Sequence, residues 1–118
     1  MSDNPARPPP GTLIARLHEL NDGEARAFDF RAGAALFSLI LARQGEQVWA
    51  FENVCPHAGH PLERLDGTVM FQAARYLVCA SHGASFAVRD GACVGGPCAG
   101  KALTRVEIAV EGEDLRLA

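Results

Sequence analysis

Two short stretches of the sequence each combine a thiol with an imidazole: Cys55-Pro56-His57 and Cys79-Ala80-Ser81-His82. Deprotonated Cys and neutral His are both metal donors, and a chain carrying one of each in two separate loops can bring four donors to one point. If the loops face each other at the end of a sheet, both thiolates can hold one iron and both imidazoles the other. That is the ligand set of a binuclear 2Fe-2S centre in which His replaces Cys on one metal. A tetrahedral zinc ion can use the same donor types, although zinc pairs commonly run Cys-Cys and then His-His instead of mixing within each loop. A lone Cys or His reads as a buried small residue or a satisfied polar one. Four at this spacing favour metal chemistry, with the iron-sulfur centre ahead of zinc and of a purely structural role.

The elements that must position these residues are short and extended. The pattern predicts strands over 12–17, 26–30, 36–42, 48–53, 68–71, 75–79, 85–88, 92–94, 104–110 and 115–117, each rich in Val, Ile, Leu or Phe between turn signals. The first Cys-His pair follows the strand at 48–53, and the second begins where the strand at 75–79 ends. Asn21-Asp22-Gly23, Gln44-Gly45-Glu46, Arg89-Asp90-Gly91 and Gly112-Glu113-Asp114 supply hairpin turns. A short helical turn is possible at 18–20 or 61–65. With no sustained helical period and no internal repeat, the expectation is an all-β, antiparallel sandwich or small barrel. Residues 1–11, with Pro8-Pro9-Pro10, suggest a flexible tail before a domain over 12–118.

Composition narrows the function classes. The 118 residues suit one domain, and 48% hydrophobic with 21% charged residues is ordinary for a globular protein. A net charge of −3, with no run of like charges and Lys101 as the only lysine, argues against a nucleic-acid surface. The longest nearly apolar run, 34–42, is about half of the ~20 residues needed to cross a bilayer, and the N-terminus lacks the apolar stretch of a secretory signal. No membrane association and a cytoplasmic location are expected. In that reducing compartment Cys93 and Cys98 are expected as buried free thiols.

Cys55-Pro-His-Ala-Gly-His-Pro-Leu62 and Cys79-Ala-Ser-His-Gly-Ala-Ser-Phe86 resemble the two boxes of Rieske proteins. Val88-Arg-Asp-Gly-Ala-Cys-Val-Gly-Gly-Pro97 resembles the hairpin and proline loop that follow the second box, so the likeness covers most of residues 36–117. It departs in spacing: the 21 positions between His57 and Cys79 slightly exceed the usual gap, and the extra length falls in the hairpin at 66–74. The resemblance implies an antiparallel base of three layered sheets with a cluster-binding lobe over about 54–98. It implies one 2Fe-2S cluster held by Cys55, His57, Cys79 and His82. It also implies a soluble ferredoxin, an electron carrier and not an enzyme, that serves as a component of a dioxygenase or similar system. The donor would be a flavin-dependent reductase and the acceptor an oxygenase or another redox enzyme.

Other readings stay open: a protein like the small subunit of NADH-dependent nitrite reductase, or a metal-binding structural or regulatory module. A catalytic Rieske oxygenase also needs a mononuclear iron held by two His and a carboxylate, for which only His18 and His60 remain. His60 does not match a ligand position and reads as a polar loop residue; His18 reads as incidental, and Trp49 as core. The imidazole end of the site would dock partners on a rim of Pro56, Ala58, Leu62, Ala84 and Pro97. The loop-bracing disulfide of the high-potential respiratory type corresponds here to His60 and Ser81, and its two hydroxyl donors to Ala84 and Phe86, which implies a low reduction potential.

Overall fold

In the computed structural model, residues 4–56, 59–81 and 83–118 are described. All ten expected strands form: β1 (Leu13–Arg16), β2 (Ala25–Ala32), β3 (Ala35–Gln44), β4 (Gln47–Glu52), β5 (Thr68–Gln72), β6 (Tyr76–Val78), β7 (Ser85–Ala87), β8 (Cys93–Gly95), β9 (Ile108–Glu111) and β10 (Asp114–Leu117). The helical turn expected near 18–20 is a single 3-10 turn, Leu17–Glu19; no helix forms at 61–65. Strands pair antiparallel in the orders β1-β10-β9 and β4-β3-β2-β5-β6-β7-β8.

The burial pattern of β3 explains the architecture. Successive side chains of a strand point to opposite faces, so a strand buried on both faces reads as a continuous apolar run. In β3, Phe37, Leu39 and Leu41 enter one core while Ile40 and Ala42 enter another. The β2–β3–β4 meander is therefore a middle layer. One face packs against β1, β10 and the segment leading into β9 through Ala15, Val106, Leu115 and Leu117. The other is covered by the second half of the seven-stranded sheet, which turns over it after the short β2–β5 pairing at Ala25↔Val69 and Arg26↔Thr68 and contributes Leu77, Phe86 and Val88. Fully burying a phenylalanine such as Phe51 or Phe86 is worth about 1.5–3 kcal/mol.

The N-terminal segment is attached from Asn4 onward, where the prolines had suggested a flexible tail. The Asn4 side-chain amide donates to the Leu36 carbonyl at 2.7 Å, and Ala6 is buried with Phe37 and Leu39. The Arg7 guanidinium lies over the Phe37 ring at 5.1 Å, and the Gly11 N–H donates to the Leu117 carbonyl at 2.7 Å. The expected strand at 104–110 is shortened: Thr104 and Val106 make single backbone bonds to β4, through Glu52 N–H and the Ala50 carbonyl, before β9 begins at Ile108.

Candidate metal centre

Cys55 lies just beyond the end of β4, and Cys79 directly follows β6. Each cysteine opens a loop with the same backbone closure. In the first, the Cys55 N–H donates to the His60 carbonyl and the Gly59 N–H to the Cys55 carbonyl, both at 2.7 Å. In the second, the Cys79 N–H donates to the Ala84 carbonyl at 2.8 Å and the Gly83 N–H to the Cys79 carbonyl at 3.1 Å. Gly59 and Gly83 both take a φ of +73°, a left-handed conformation that glycine adopts without the strain a Cβ brings. The loops are joined directly, since the Ala80 N–H donates to the Leu62 carbonyl at 3.2 Å. Both cysteines are 1% exposed, lie in the same apolar cluster as Leu62, Leu77, Ala84 and Phe86, and are not disulfide-bonded. Around those buried ends Gly59, His60, Ala80, Ser81 and Gly83 are exposed. His57 and His82 lie outside the described residues, as does Ala58.

A residue that sequence reasoning passed over organises the first loop. Asn53, the residue after β4, is 3% exposed. Its side-chain oxygen accepts from the Leu62 N–H at 2.8 Å, and its amide donates to Glu63 Oε1 at 2.6 Å and Ser38 Oγ at 3.0 Å. An Asn closing an apolar strand two residues before a candidate ligand is the signal that could have drawn attention to it, because Asn side chains commonly bond neighbouring backbone.

A third loop corrects an expectation. Cys93 and Cys98 are joined in a disulfide and are not free thiols. The expectation rested on compartment; the fold decides otherwise, because the Gly95-Gly96-Pro97 turn after β8 brings the two Cα atoms to 5.8 Å, within disulfide range. Gly96 sits against the second cysteine loop so closely that a Cβ there would fall 2.9 Å from Ala84 Cα and 3.1 Å from the Gly83 carbonyl oxygen. Lys101, just past this loop, donates to the Pro56 carbonyl at 3.3 Å.

The remaining candidates fall into place individually. His60 is exposed. His18 sits on the 3-10 turn with Nδ1 3.3 Å from Glu113 Oε1, away from the cysteine loops. Trp49 is partly buried against the core cluster that holds Cys55 and Cys79. The expected docking rim is corrected in two places: Leu62 and Ala84 are fully buried, both packed in the core cluster that holds Cys55 and Cys79, whereas Pro97 is exposed. Ala84 and Phe86 both sit in that core without a hydroxyl. Away from the loops, the Thr68 hydroxyl and backbone N–H both donate to Asp66 and hold its carboxyl below the ordinary carboxylate value.

Two cysteine loops of matched closure sit at one end of a layered antiparallel β-domain. Residues 12–110 match the Rieske [2Fe-2S] domain, and the chain belongs to that family. Its cofactor is the family's 2Fe-2S cluster, and the paired buried thiol loops fit the sulfur-bound half of such a centre. Among solved structures, the ferredoxin of carbazole 1,9a-dioxygenase from Nocardioides aromaticivorans IC177 superposes with a TM-score of 0.76 at 27% identity, covering 93% of this chain and 98% of that one. The complex of reduced oxygenase and oxidised ferredoxin in carbazole 1,9a-dioxygenase contains a chain matching at TM-score 0.71 and 26% identity, covering 91% of each. The Sphingomonas yanoikuyae B1 ferredoxin shares the fold at TM-score 0.71 and 21% identity, with 91% of this chain and 96% of that chain covered. No curated protein sequence matches the chain. Among the described residues no helix is long and apolar enough to cross a membrane.

Proposed function

We propose that the protein is a cytoplasmic one-electron carrier whose lobe over about 54–98 holds the cluster through Cys55, His57, Cys79 and His82. It takes electrons from a flavin-dependent reductase and delivers them to an oxygenase. The observation that carries this reading is the pair of identically closed loops, tied by the Ala80–Leu62 hydrogen bond, that buries both cysteines in one apolar cluster. When bound, the cluster supplies a one-electron couple tuned by hydrogen bonding and exposure. The chain's own contribution is positional. Leu62, Leu77 and Phe86 keep water from the thiol ends, and the backbone closures define the path of both loops. The exposed loop tips at His60, Ala80 and Ser81, with Pro97 beside them, leave a small surface on which a partner can approach transiently. An oxygenase as acceptor is supported by the related ferredoxin described in complex with the oxygenase of carbazole 1,9a-dioxygenase.

The test is to purify the protein anaerobically, measure iron and acid-labile sulfide, and record visible and EPR spectra. Two irons and two sulfides per chain are expected, lost in Cys55→Ser and in Cys79→Ser; stoichiometric zinc without sulfide would overturn the reading. Stopped-flow mixing with a flavoprotein reductase, then with an oxygenase, tests the direction of transfer. Failure of the cluster to reoxidise with any oxygenase would remove the proposed acceptor while leaving the ligand assignment standing.

A further inference from the structure

Residues 93–101 touch both cysteine loops at once. On one side Gly96 lies against Gly83 and Ala84, where even a methyl group would collide with backbone. On the other, Lys101 Nζ reaches the Pro56 carbonyl, one residue from Cys55. The segment is itself closed three ways: by the Cys93–Cys98 disulfide, by the Cys93 N–H donating to the Lys101 carbonyl at 3.0 Å, and by the Lys101 N–H donating to the Cys98 carbonyl at 2.9 Å. Cys98 is fully buried in the same cluster as Cys55 and Cys79, so the disulfide anchors the strap to the floor of the site. Lys101 is the chain's only lysine, and it forms no ion pair among the described residues.

We propose that residues 93–101 form a disulfide-closed strap that positions both cysteine loops, with Lys101 as a positioning residue whose charge also favours the reduced state of the centre between them. The inference rests on the cluster assignment but uses residues outside the ligand set. A disulfide restricts its loop chiefly when the chain would otherwise sample open conformations, so losing it frees Gly96 to lift from Ala84 and exposes the second loop. A fixed positive charge near a centre that gains an electron stabilises the reduced form, and the effect weakens with added salt.

Three measurements on the holoprotein test this. Alkylation in acid-quenched, denatured protein should label two cysteines without reductant and four after reduction; four labelled without reductant would overturn the strap. In Cys93→Ala/Cys98→Ala, hydrogen exchange read by mass spectrometry should accelerate at least tenfold in peptides covering 79–86, while peptides from β9 and β10 stay unchanged. Equal exchange in the two proteins would show that the disulfide positions nothing. Lys101→Met should shift the reduced-to-oxidised ratio about threefold towards oxidised, a drop of about 28 mV for a one-electron couple at 59 mV per decade, and Lys101→Arg should restore it. A midpoint unmoved by Lys101→Met would refute the charge role. Loss of iron from the wild-type protein itself would instead point to failure of the cluster assignment.

Discussion

Replacing Asn53 by Ala is the substitution that most directly tests how the first loop is held. Asn53 is 3% exposed and makes three side-chain hydrogen bonds. Its loss leaves the buried Leu62 N–H without an acceptor, which costs roughly 1–3 kcal/mol. Losing the bond to the half-buried Glu63 carboxylate costs about 1 kcal/mol more, and the bond to Ser38 about 0.5–1 kcal/mol. The sum is about 4 kcal/mol, a large part of the roughly 5–15 kcal/mol that stabilises a domain. With a urea slope of about 2 kcal/mol/M, the midpoint should fall by about 2 M, followed anaerobically by visible absorbance and far-UV circular dichroism together. Asn53→Asp keeps the acceptor for the Leu62 N–H but sets a second carboxylate where Glu63 Oε1 now sits 2.6 Å from the amide nitrogen. It should destabilise at neutral pH and be largely rescued by adding Glu63→Gln. A loss below 1 kcal/mol in Asn53→Ala, or full stability in Asn53→Asp, would refute the bracing argument.

Ala73 and Ala74 close the β5–β6 hairpin at φ of +52° and +51°, so Ala74→Gly should raise stability by about 1 kcal/mol, read as a higher urea midpoint. The Thr68 bonds that lower the Asp66 pKa stabilise the fold above the unfolded carboxylate value, and that contribution is lost as pH falls through the folded pKa. Thr68→Val should raise the Asp66 pKa towards its ordinary value in an NMR titration, and an unchanged titration would show that the hydroxyl does not matter. With Ala84 and Phe86 in the core and no hydroxyl on either, the midpoint potential should lie near the low end of the roughly −150 to +300 mV Rieske range. Ala84→Ser should raise it, and a wild-type value well above zero in protein-film voltammetry would defeat the hydrogen-bond reasoning.

What the sequence exposed, and what it hid, divides along the range of the interactions. Strand identity is local: alternation, β-branched residues and Gly-containing turns revealed all ten strands, and the near-continuous apolar run of β3 already carried the mark of burial on both faces. The β5–β6 turn escaped that logic because Ala-Ala offers none of the usual chemistry for positive φ, and only the flanking strands implied it. Motif spacing likewise exposed the two cysteine loops. Which residues of those loops face outward is not local. Ala84 closes its loop as the exposed His60 closes the first, and Leu62 follows two residues after His60; the burial of Leu62 and Ala84 is decided by the cluster they join, with Cys98 coming from farther along the chain. The disulfide is the same kind of case, since four intervening residues permit pairing without requiring it and the Gly-Gly-Pro turn decides.

The equivalence of the two cysteine loops follows from that distinction. Their sequences differ, and the histidine enters one residue earlier in the first than in the second, yet both close through the amide four residues after the cysteine and the carbonyl five residues after it. Closure therefore depends on the backbone and on Gly59 and Gly83, not on the ligand side chains. A frame whose hydrogen bonds and floor residues lie outside the ligand side chains restrains both cysteines independently of those side chains. It then need not reorganise them when the charge of the centre changes by one electron. That is the property a carrier needs in order to exchange electrons with two different partners.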